Sequence, residues 1–372
     1  MQSSPRVPFL DLKAQLASIR AEVDAAIAEV LDNTAFILGP AVAQFEEEFA
    51  RQTGRTYAVG LNSGTSALHL ALIAAGVGPG DEVITTPHTW ISTTWAISYV
   101  GATPVFADVD PATGNLDPAA AEAAITERTK ALLPVDLYGH PAALDQFEAI
   151  AARHGLVLIE DAAQAHLATL NGRPAGSFGK AACFSFYPGK NLGAIGEGGA
   201  VVTDDEEVAA RIRRLRDHAQ LERHHHVEVG YNYRMEGLQG AVLRVKLRHL
   251  PAWTERRRAA AARYAELLSG IEGVTLPHVA DGANPVWHLY PIRVADRDTV
   301  QSRLAEAGVG TAVHYPTPVH LQPAYQHLGY RRGQFPSAEA YAATCLSLPM
   351  FAELTEDQQV YVAEQLQKAV MA

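Results

Sequence analysis

From residue 56 onward the chain alternates short apolar runs with helical stretches, and this alternation constrains its fold more than any other feature. The runs are TYAVGL, EVITT, TPVFADV, KALLPVDL, GLVLIE, AACFSFY and GGAVVTD. Several lack polar alternation, as strands buried on both faces do. Segments 65–76, 90–100, 118–126 and 142–154 lie between the early runs and read as helices. That order predicts an α/β fold around an open, mainly parallel sheet. The last two runs sit close together, which leaves room for an antiparallel member.

The flanks read differently. Ahead of the sheet, 14–31 and 41–50 have helical periodicity, with Leu16, Ile19, Val23, Ile27 and Leu31 recurring at three or four. The pair Gly39-Pro40 separates them. Residues 236–269 form one long helical stretch, with a break or kink expected at Pro251. After Gly273 a smaller α+β region begins, with VWHLYPIRV and GTAVHYP as strands and 297–307 and 355–370 as helices. The expected division is 1–255 for the N-terminal helices and large α/β domain, and 256–372 for the small C-terminal domain. A length of 372 residues accommodates both.

Charge and cysteine content narrow the function classes. A net charge of −11 gives no basic excess to displace counterions, which argues against nucleic acid as a partner. It leaves room for a small anion in a local pocket. Two cysteines, Cys183 and Cys345, make no disulfide framework, so a reducing cytoplasm is expected. The start lacks a basic region followed by an apolar one, so no signal peptide is expected. The apolar run 67–77 is too short to span a bilayer. No membrane partner is expected.

Ligands of open α/β sheets sit beyond the carboxyl ends of the strands, and four features fall there. In 62-NSGTSAL-68, Gly64 permits close backbone approach, and Thr65 and Ser66 open a helix, a place suited to phosphate. A plain N-cap on Ser63 or Thr65 reads equally well. Asp161 ends GLVLIE, where a carboxylate can keep a ring nitrogen protonated, and Gln164 follows one helical turn later. Asp161 as a simple helix cap is the alternative. Lys190 follows AACFSFY, with Ser185 inside that run, and Pro188-Gly189 turn the chain sharply before it. An amine among few polar neighbours has a lowered pKa and can add to a carbonyl; a solvated loop lysine is the plainer reading. Trp90 follows EVITT and can stack on an aromatic ring or pack in the core. Jointly, a phosphate loop, a stacking ring, a carboxylate and an amine are what pyridoxal 5′-phosphate needs from a protein. No G-x-G-x-x-G follows the first strand, and 189-GKN-191 has Asn where a Walker motif needs Ser or Thr.

The chain resembles the DegT/DnrJ/EryC1/StrS sugar aminotransferases, fold type I pyridoxal-phosphate enzymes. The resemblance runs from 8-PFLDL-12 to 346-LSLPMF-351 and rests on GTSAL, EDAAQAH, SFYPGKNLGA, GEGGAVVT, GYNYRM and HLQPAY. It implies a large domain with a seven-stranded, mainly parallel sheet sandwiched by helices. It implies Lys190 as the cofactor-anchoring amine and Asp161 as the partner of the pyridine nitrogen. It places Gln164 at the ring hydroxyl, Trp90 on the ring face, and Gly64, Thr65, Ser66 and Ser185 at the phosphate. Asn232 would reach that phosphate from a neighbouring subunit, which implies a homodimer with shared sites. Arg234, His226 and His320 are candidate substrate contacts. The implied reaction moves an amino group from glutamate to a keto sugar nucleotide, with a 3-keto-6-deoxyhexose favoured.

Two departures stand out. Leu167 occupies a position where the family commonly has Gly or Ala, and GYNYRM differs from the N-S-R-L form of many 3-keto members. Two alternatives stay open: a keto-cyclitol as the acceptor, and a non-catalytic regulator on the same fold. The intact Lys190, Asp161 and Gln164 argue against the regulator. The run 224-HHHVE-228 points its histidines in different directions and makes a poor metal site, so no metal is expected. Arg223 beside it suits contact with a substrate phosphate, and a solvated loop is the alternative.

Overall fold

The computed structural model describes residues 6–371. Two helices come first, α1 (Leu12–Asp32) and α2 (Gly39–Thr53), the latter opening on Pro40. The expected α/β alternation follows. It comprises β1 (Tyr57–Leu61), α3 (Gly64–Ala74), β2 (Glu82–Thr85), α4 (Ser92–Tyr99), β3 (Thr103–Phe106), α5 (Pro118–Ala123), β4 (Thr129–Leu133), α6 (Leu144–His154) and β5 (Val157–Asp161). A two-strand excursion, β6 (Thr169–Leu170) and β7 (Arg173–Pro174), precedes β8 (Ala181–Ser185), β9 (Gly199–Thr203) and α7 (Glu206–Arg216).

The central sheet has seven strands in the order β1-β9-β8-β5-β4-β2-β3. Strands β3, β2, β4, β5 and β8 run parallel, and β9 pairs antiparallel with both β8 and β1. The antiparallel member is therefore β9, inserted between the first strand and the parallel block. Strand side chains alternate between two apolar layers. Val59, Leu61, Ile159, Cys183 and Val201 join α3 and α7 on one face. Ala58, Phe184, Ala200 and Val202 join α2 and the next long helix on the other. Each Val, Leu or Ile so buried contributes about 1.5–3 kcal/mol.

A hairpin, β10 (Gln220–Glu222) and β11 (His225–His226), leads to α8 (Gly237–Leu268). Helix α8 continues through Pro251 without interruption, where a break or a kink was expected. Packing holds it along its length. Its first half buries Val242, Val245 and Trp253 against Ile19 and Val23 of α1. Its second half buries Tyr264 and Leu268 in the small region. That region contains β12 (Val274–Thr275), β13 (Ala283–Asn284), β14 (Tyr290–Val294), α9 (Arg297–Glu306), α10 (Pro336–Thr344), β15 (Cys345–Leu348) and α11 (Glu356–Met371). Strands β12, β14 and β15 form its sheet, while β13 joins β6 and β7. The segment GTAVHYP is not a strand: it makes one isolated bridge, Ala312 to Ser347, and β15 takes the place beside β14. No helix among the described residues is long and apolar enough to cross a membrane. Cys183 and Cys345 are both free and buried.

Candidate active site

At the carboxyl ends of the parallel strands lies a cavity of ≈ 670 Å³ whose wall includes Gly64, Thr65, Trp90, Asp161, Gln164, Ser185 and Lys190. Strand β5 delivers Asp161 to the floor. One carboxylate oxygen, Oδ2, accepts from the Thr93 hydroxyl at 2.9 Å, and Oδ1 accepts from the Ala163 N–H at 3.2 Å. Burial raises the Asp161 pKa, and these two donors together with the Lys190 cation oppose that rise. The loop after β8 brings Lys190 to the same cavity, its N–H bonded to the Tyr187 carbonyl at 2.8 Å. Burial lowers the Lys190 pKa to about 8, with the Asp161 carboxylate pulling the other way. A carboxylate and an amine thus share one water-poor pocket, each biased towards its neutral form by burial.

Gln164 has a fixed orientation. Its Oε1 accepts from the Tyr138 N–H at 2.6 Å, so the amide nitrogen is the one that reaches the Tyr315 hydroxyl at 3.2 Å. Trp90 precedes α4 rather than lying within it. It is 56% exposed, and its ring stands 5.7 Å from that of Tyr315 at 44°. The core-packed reading of Trp90 is therefore wrong for this chain.

The GTSAL loop serves both of its sequence readings. Ser63 is the N-cap of α3, its hydroxyl accepting from the Ser66 N–H at 3.1 Å. The helix N-terminus nonetheless opens onto the cavity through Ser63, Gly64 and Thr65. A Cβ on Gly64 would stand 2.7 Å from the Ser185 Cβ, and one on Gly199 would stand 2.3 Å from the Ser63 carbonyl carbon. Those close approaches build a small cradle of helix amides and hydroxyls that suits a phosphate. Ser66 lies behind it, with its hydroxyl donating to Asn62 Oδ1 at 2.7 Å.

Four other sequence candidates stand apart from this chain's cavity. Asn232 is exposed, and its carbonyl accepts from the Asn62 amide at 3.5 Å. Arg234 pairs with Asp217 at 2.6 Å. His226 is exposed on the hairpin, its Nδ1 against the His218 carbonyl at 2.8 Å. His320 requires a correction: it is buried away from the cavity, bonded to Glu339 at 3.1 Å and stacked edge-on against Phe335 at 4.8 Å. The apolar cluster of Phe106, Tyr325 and Phe335 draws HLQPAY into a second core. His320 therefore touches no ligand in this cavity.

Several wall residues carried no sequence signal of their own. Thr93 is one turn beyond Trp90, and that spacing was the available clue. His288, His314, Tyr315 and Arg257 close the cavity from the small region. The Arg257 Nη1 donates to the Trp287 and Met350 carbonyls, both at 3.0 Å, and so ties α8 to two of the segments that form this wall.

Leu167 has φ +72°, the left-handed conformation that glycine adopts freely. A leucine in that conformation carries backbone strain that a glycine would not.

The family model for DegT/DnrJ/EryC1/StrS aminotransferases matches residues 17–367. The dTDP-3-amino-3,4,6-trideoxy-α-D-glucose transaminase of Streptomyces venezuelae is 50% identical over 361 residues, covering 97% of this chain and 95% of that one. The crystal structure of S. venezuelae DesV in complex with a ketimine intermediate superposes with a TM-score of 0.97 at 48% identity, covering 99% of this chain and 100% of that one. The NtdA structure from Bacillus subtilis, with bound cofactor PMP, gives 0.91 at 31% identity, covering 100% and 86%. Likeness of this extent, over nearly the whole of each chain, means that the chain belongs to the DegT/DnrJ/EryC1/StrS aminotransferase family.

Proposed function

We propose that this pyridoxal-phosphate-dependent aminotransferase moves the amino group of glutamate onto a nucleotide-linked keto sugar in amino-sugar biosynthesis, with carbon 3 as the carbon aminated. The observation that carries the reading is the pair Lys190 and Asp161, buried in one cavity at the strand ends. The relative from S. venezuelae, named for a dTDP-linked 3-amino sugar, supports the substrate class and the carbon.

In this reading Lys190 anchors the cofactor aldehyde, and Asp161 pairs with the pyridine nitrogen. Gln164 faces the ring hydroxyl and Trp90 covers the ring. Gly64, Thr65, Ser185 and the amide end of α3, stiffened by Ser66, hold the phosphate. The bound cofactor supplies an electron sink next to the carbon that loses a proton. The chain supplies the rest. With a pKa near 8, the Lys190 amine exists in both proton states close to neutral pH, so its Nζ can take a proton from one carbon and return it to another. The Thr93 hydroxyl and Ala163 N–H favour the ionised form of Asp161, working against its burial. The Arg257 tie to segments 287–288 and 350 holds the wall that excludes water.

Asn232 and Arg234 are read as contributions to a partner subunit's site in a homodimer. Their place outside this chain's cavity supports that, as do the exposed side chains of Phe36, Ile37, Leu221 and Val229. A cytoplasmic location and a division of the chain at 255/256, within α8, belong to the same reading.

The test uses purified, cofactor-loaded protein. Its yellow colour should bleach with glutamate and return with a keto sugar nucleotide. A panel of 3-keto and 4-keto sugar nucleotides and keto-cyclitols fixes the acceptor. A preparation that stays colourless when pyridoxal phosphate is added would refute the reading.

A further inference from the structure

Asn191 follows the anchoring lysine and is buried, yet nothing in the scheme above uses it. Its Nδ2 donates to the Val286 carbonyl at 3.0 Å. A carbonyl can only accept, so the amide orientation is fixed and Oδ1 faces the other way. There it meets the His288 Nδ1 at 3.3 Å. An amide oxygen can only accept too, so the hydrogen of that contact sits on His288 Nδ1. The tautomer of His288 is thereby set: a hydrogen on Nδ1 and a lone pair on Nε2. The ring lines the cavity, and Nε2 has no partner among the described residues. The ring also stays neutral. Burial, then Lys190, Arg257, His314 and His166, hold its pKa well below the ordinary histidine range. His288 is therefore a poor acid, and its open face is a fixed acceptor.

A fixed acceptor selects among ligands. Carboxylates of an amino-acid donor are acceptors themselves and gain nothing from a lone pair. A hydroxyl offers the hydrogen that Nε2 lacks. We propose that His288 Nε2, held in register by Asn191, is a specificity-determining acceptor for a sugar hydroxyl near the reacting carbon, and that it serves the sugar half-reaction but not the glutamate half-reaction. This rests on the sugar-aminotransferase reading above.

The half-reactions can be compared in the same direction, because both amino donors bleach the yellow enzyme. The probes are glutamate and a panel of dTDP- and UDP-linked 3-amino hexoses, including dTDP-3-amino-3,4,6-trideoxy-α-D-glucose. The variants are His288→Phe, which keeps the ring volume and removes the acceptor, and His288→Gln, whose amide oxygen can stand where Nε2 stood. His288→Phe should slow bleaching by the amino sugar about 10–100-fold, the range for a buried polar group left without its partner. Bleaching by glutamate should change less than about threefold, within the small net worth of one neutral hydrogen bond. His288→Gln should recover most of the sugar rate.

Binding alone supplies a second readout. On enzyme loaded with the amine form of the cofactor the amino sugar cannot react, so calorimetry reports affinity only. His288→Phe should weaken that affinity by about tenfold or more, and His288→Gln should restore it. Equal slowing of both half-reactions, an unchanged sugar half-reaction, or no rescue by Gln would overturn the proposal. A wild type that bleaches with glutamate but with no amino sugar overturns both the sugar reading and this one. A wild type that does not bleach with glutamate removes the aminotransferase assignment itself.

Discussion

The floor and the outer wall of the cavity are built in opposite ways. The floor comes from ends of regular strands: Asp161 closes β5, Ser185 closes β8, and Lys190 lies five residues beyond. The wall comes mainly from irregular chain, 286–289 ahead of β14 and 312–316 with its single bridge, braced by Arg257 reaching over from helix α8. The floor suits chemistry that every substrate must undergo, because a sheet edge places a carboxylate and an amine in one rigid relation. The wall suits selection, because irregular segments can vary without disturbing the sheet. Floor substitutions should damage both half-reactions alike, and wall substitutions should separate them.

The strongest test of this contrast is Lys190→Ala. Loss of both the anchoring amine and the proton carrier should lower both half-reactions by at least ~10⁴-fold, the upper end for a single acid–base group. The fold should survive, as circular dichroism would report. Residual turnover within a hundredfold of wild type would end the assignment. The same residue gives a pH prediction. Cofactor uptake by stripped wild-type protein requires the neutral amine, so its rate should rise with pH and level off above about 8. A rate that keeps rising steeply beyond about pH 9, as an ordinary lysine amine would give, would contradict the lowered pKa.

Asp161→Asn comes next. Both half-reactions should fall about 10²–10³-fold, the usual cost of deleting one preorganised charged partner. The stripped protein should become more stable. Burial raises the Asp161 pKa in the folded state, so the folded form binds its proton more readily than the unfolded form does. Stability is therefore lost as pH rises through the shifted value, and at neutral pH the charged carboxylate is a burden on the stripped protein. Asn removes that burden, and a gain of about 1 kcal/mol in thermal unfolding of stripped protein is expected. A stability loss would mean that Asp161 is a structural cap and not a site held ready for a cation.

Thr93→Val probes the support beneath the floor. It removes a hydroxyl donated to a buried carboxylate, an interaction worth about 1.5–3 kcal/mol. The Asp161 pKa should rise further, so cofactor affinity and both half-reactions should drop together by roughly 10–100-fold. A drop confined to the sugar half-reaction would place Thr93 with the wall and blur the contrast.

The floor was legible in the sequence because each functional residue sits at a fixed short distance from an apolar run that can only be a buried strand. Asp161 ends GLVLIE, Lys190 trails AACFSFY, and the glycine-bearing turn after TYAVGL could be read as a helix start. The wall was not legible for a physical reason. Its residues belong to segments whose conformation is decided by distant partners. GTAVHYP has the β-branched pattern of a strand, yet its pairing with the edge strand β15 stops at the single bridge from Ala312 to Ser347, and its next residues, His314 and Tyr315, line the cavity. His288 lies in a segment quoted only as a strand, and the strand itself begins at Tyr290, two residues later. Its role depends on a contact with Asn191 nearly a hundred residues earlier, which no local pattern encodes. His320 failed in the opposite sense: the resemblance placed its segment near the site, while an aromatic cluster turns the side chain away.

Leu167 offers the smallest effect and a test of how tightly the floor is set. It follows the Asp161–His166 segment with φ +72°, where a side chain costs about 1–2 kcal/mol of backbone strain. Leu167→Gly removes that strain. It also gives up a half-buried side chain packed against the Phe184 layer, worth about 1 kcal/mol, and adds about 0.5–1 kcal/mol of chain entropy to be lost on folding. These terms nearly cancel, so the net destabilisation should stay under about 1 kcal/mol, although Leu→Ala in a core costs 2–5 kcal/mol. Cofactor affinity and both half-reactions should stay within about twofold, since so small a free-energy change corresponds to a minor shift in any equilibrium. Urea unfolding of the loaded and stripped forms reads the first expectation, and bleaching rates read the second. A loss of several kcal/mol would mean that the leucine anchors the loop through its side chain. The floor would then rest on packing behind β8 as much as on the ends of the strands.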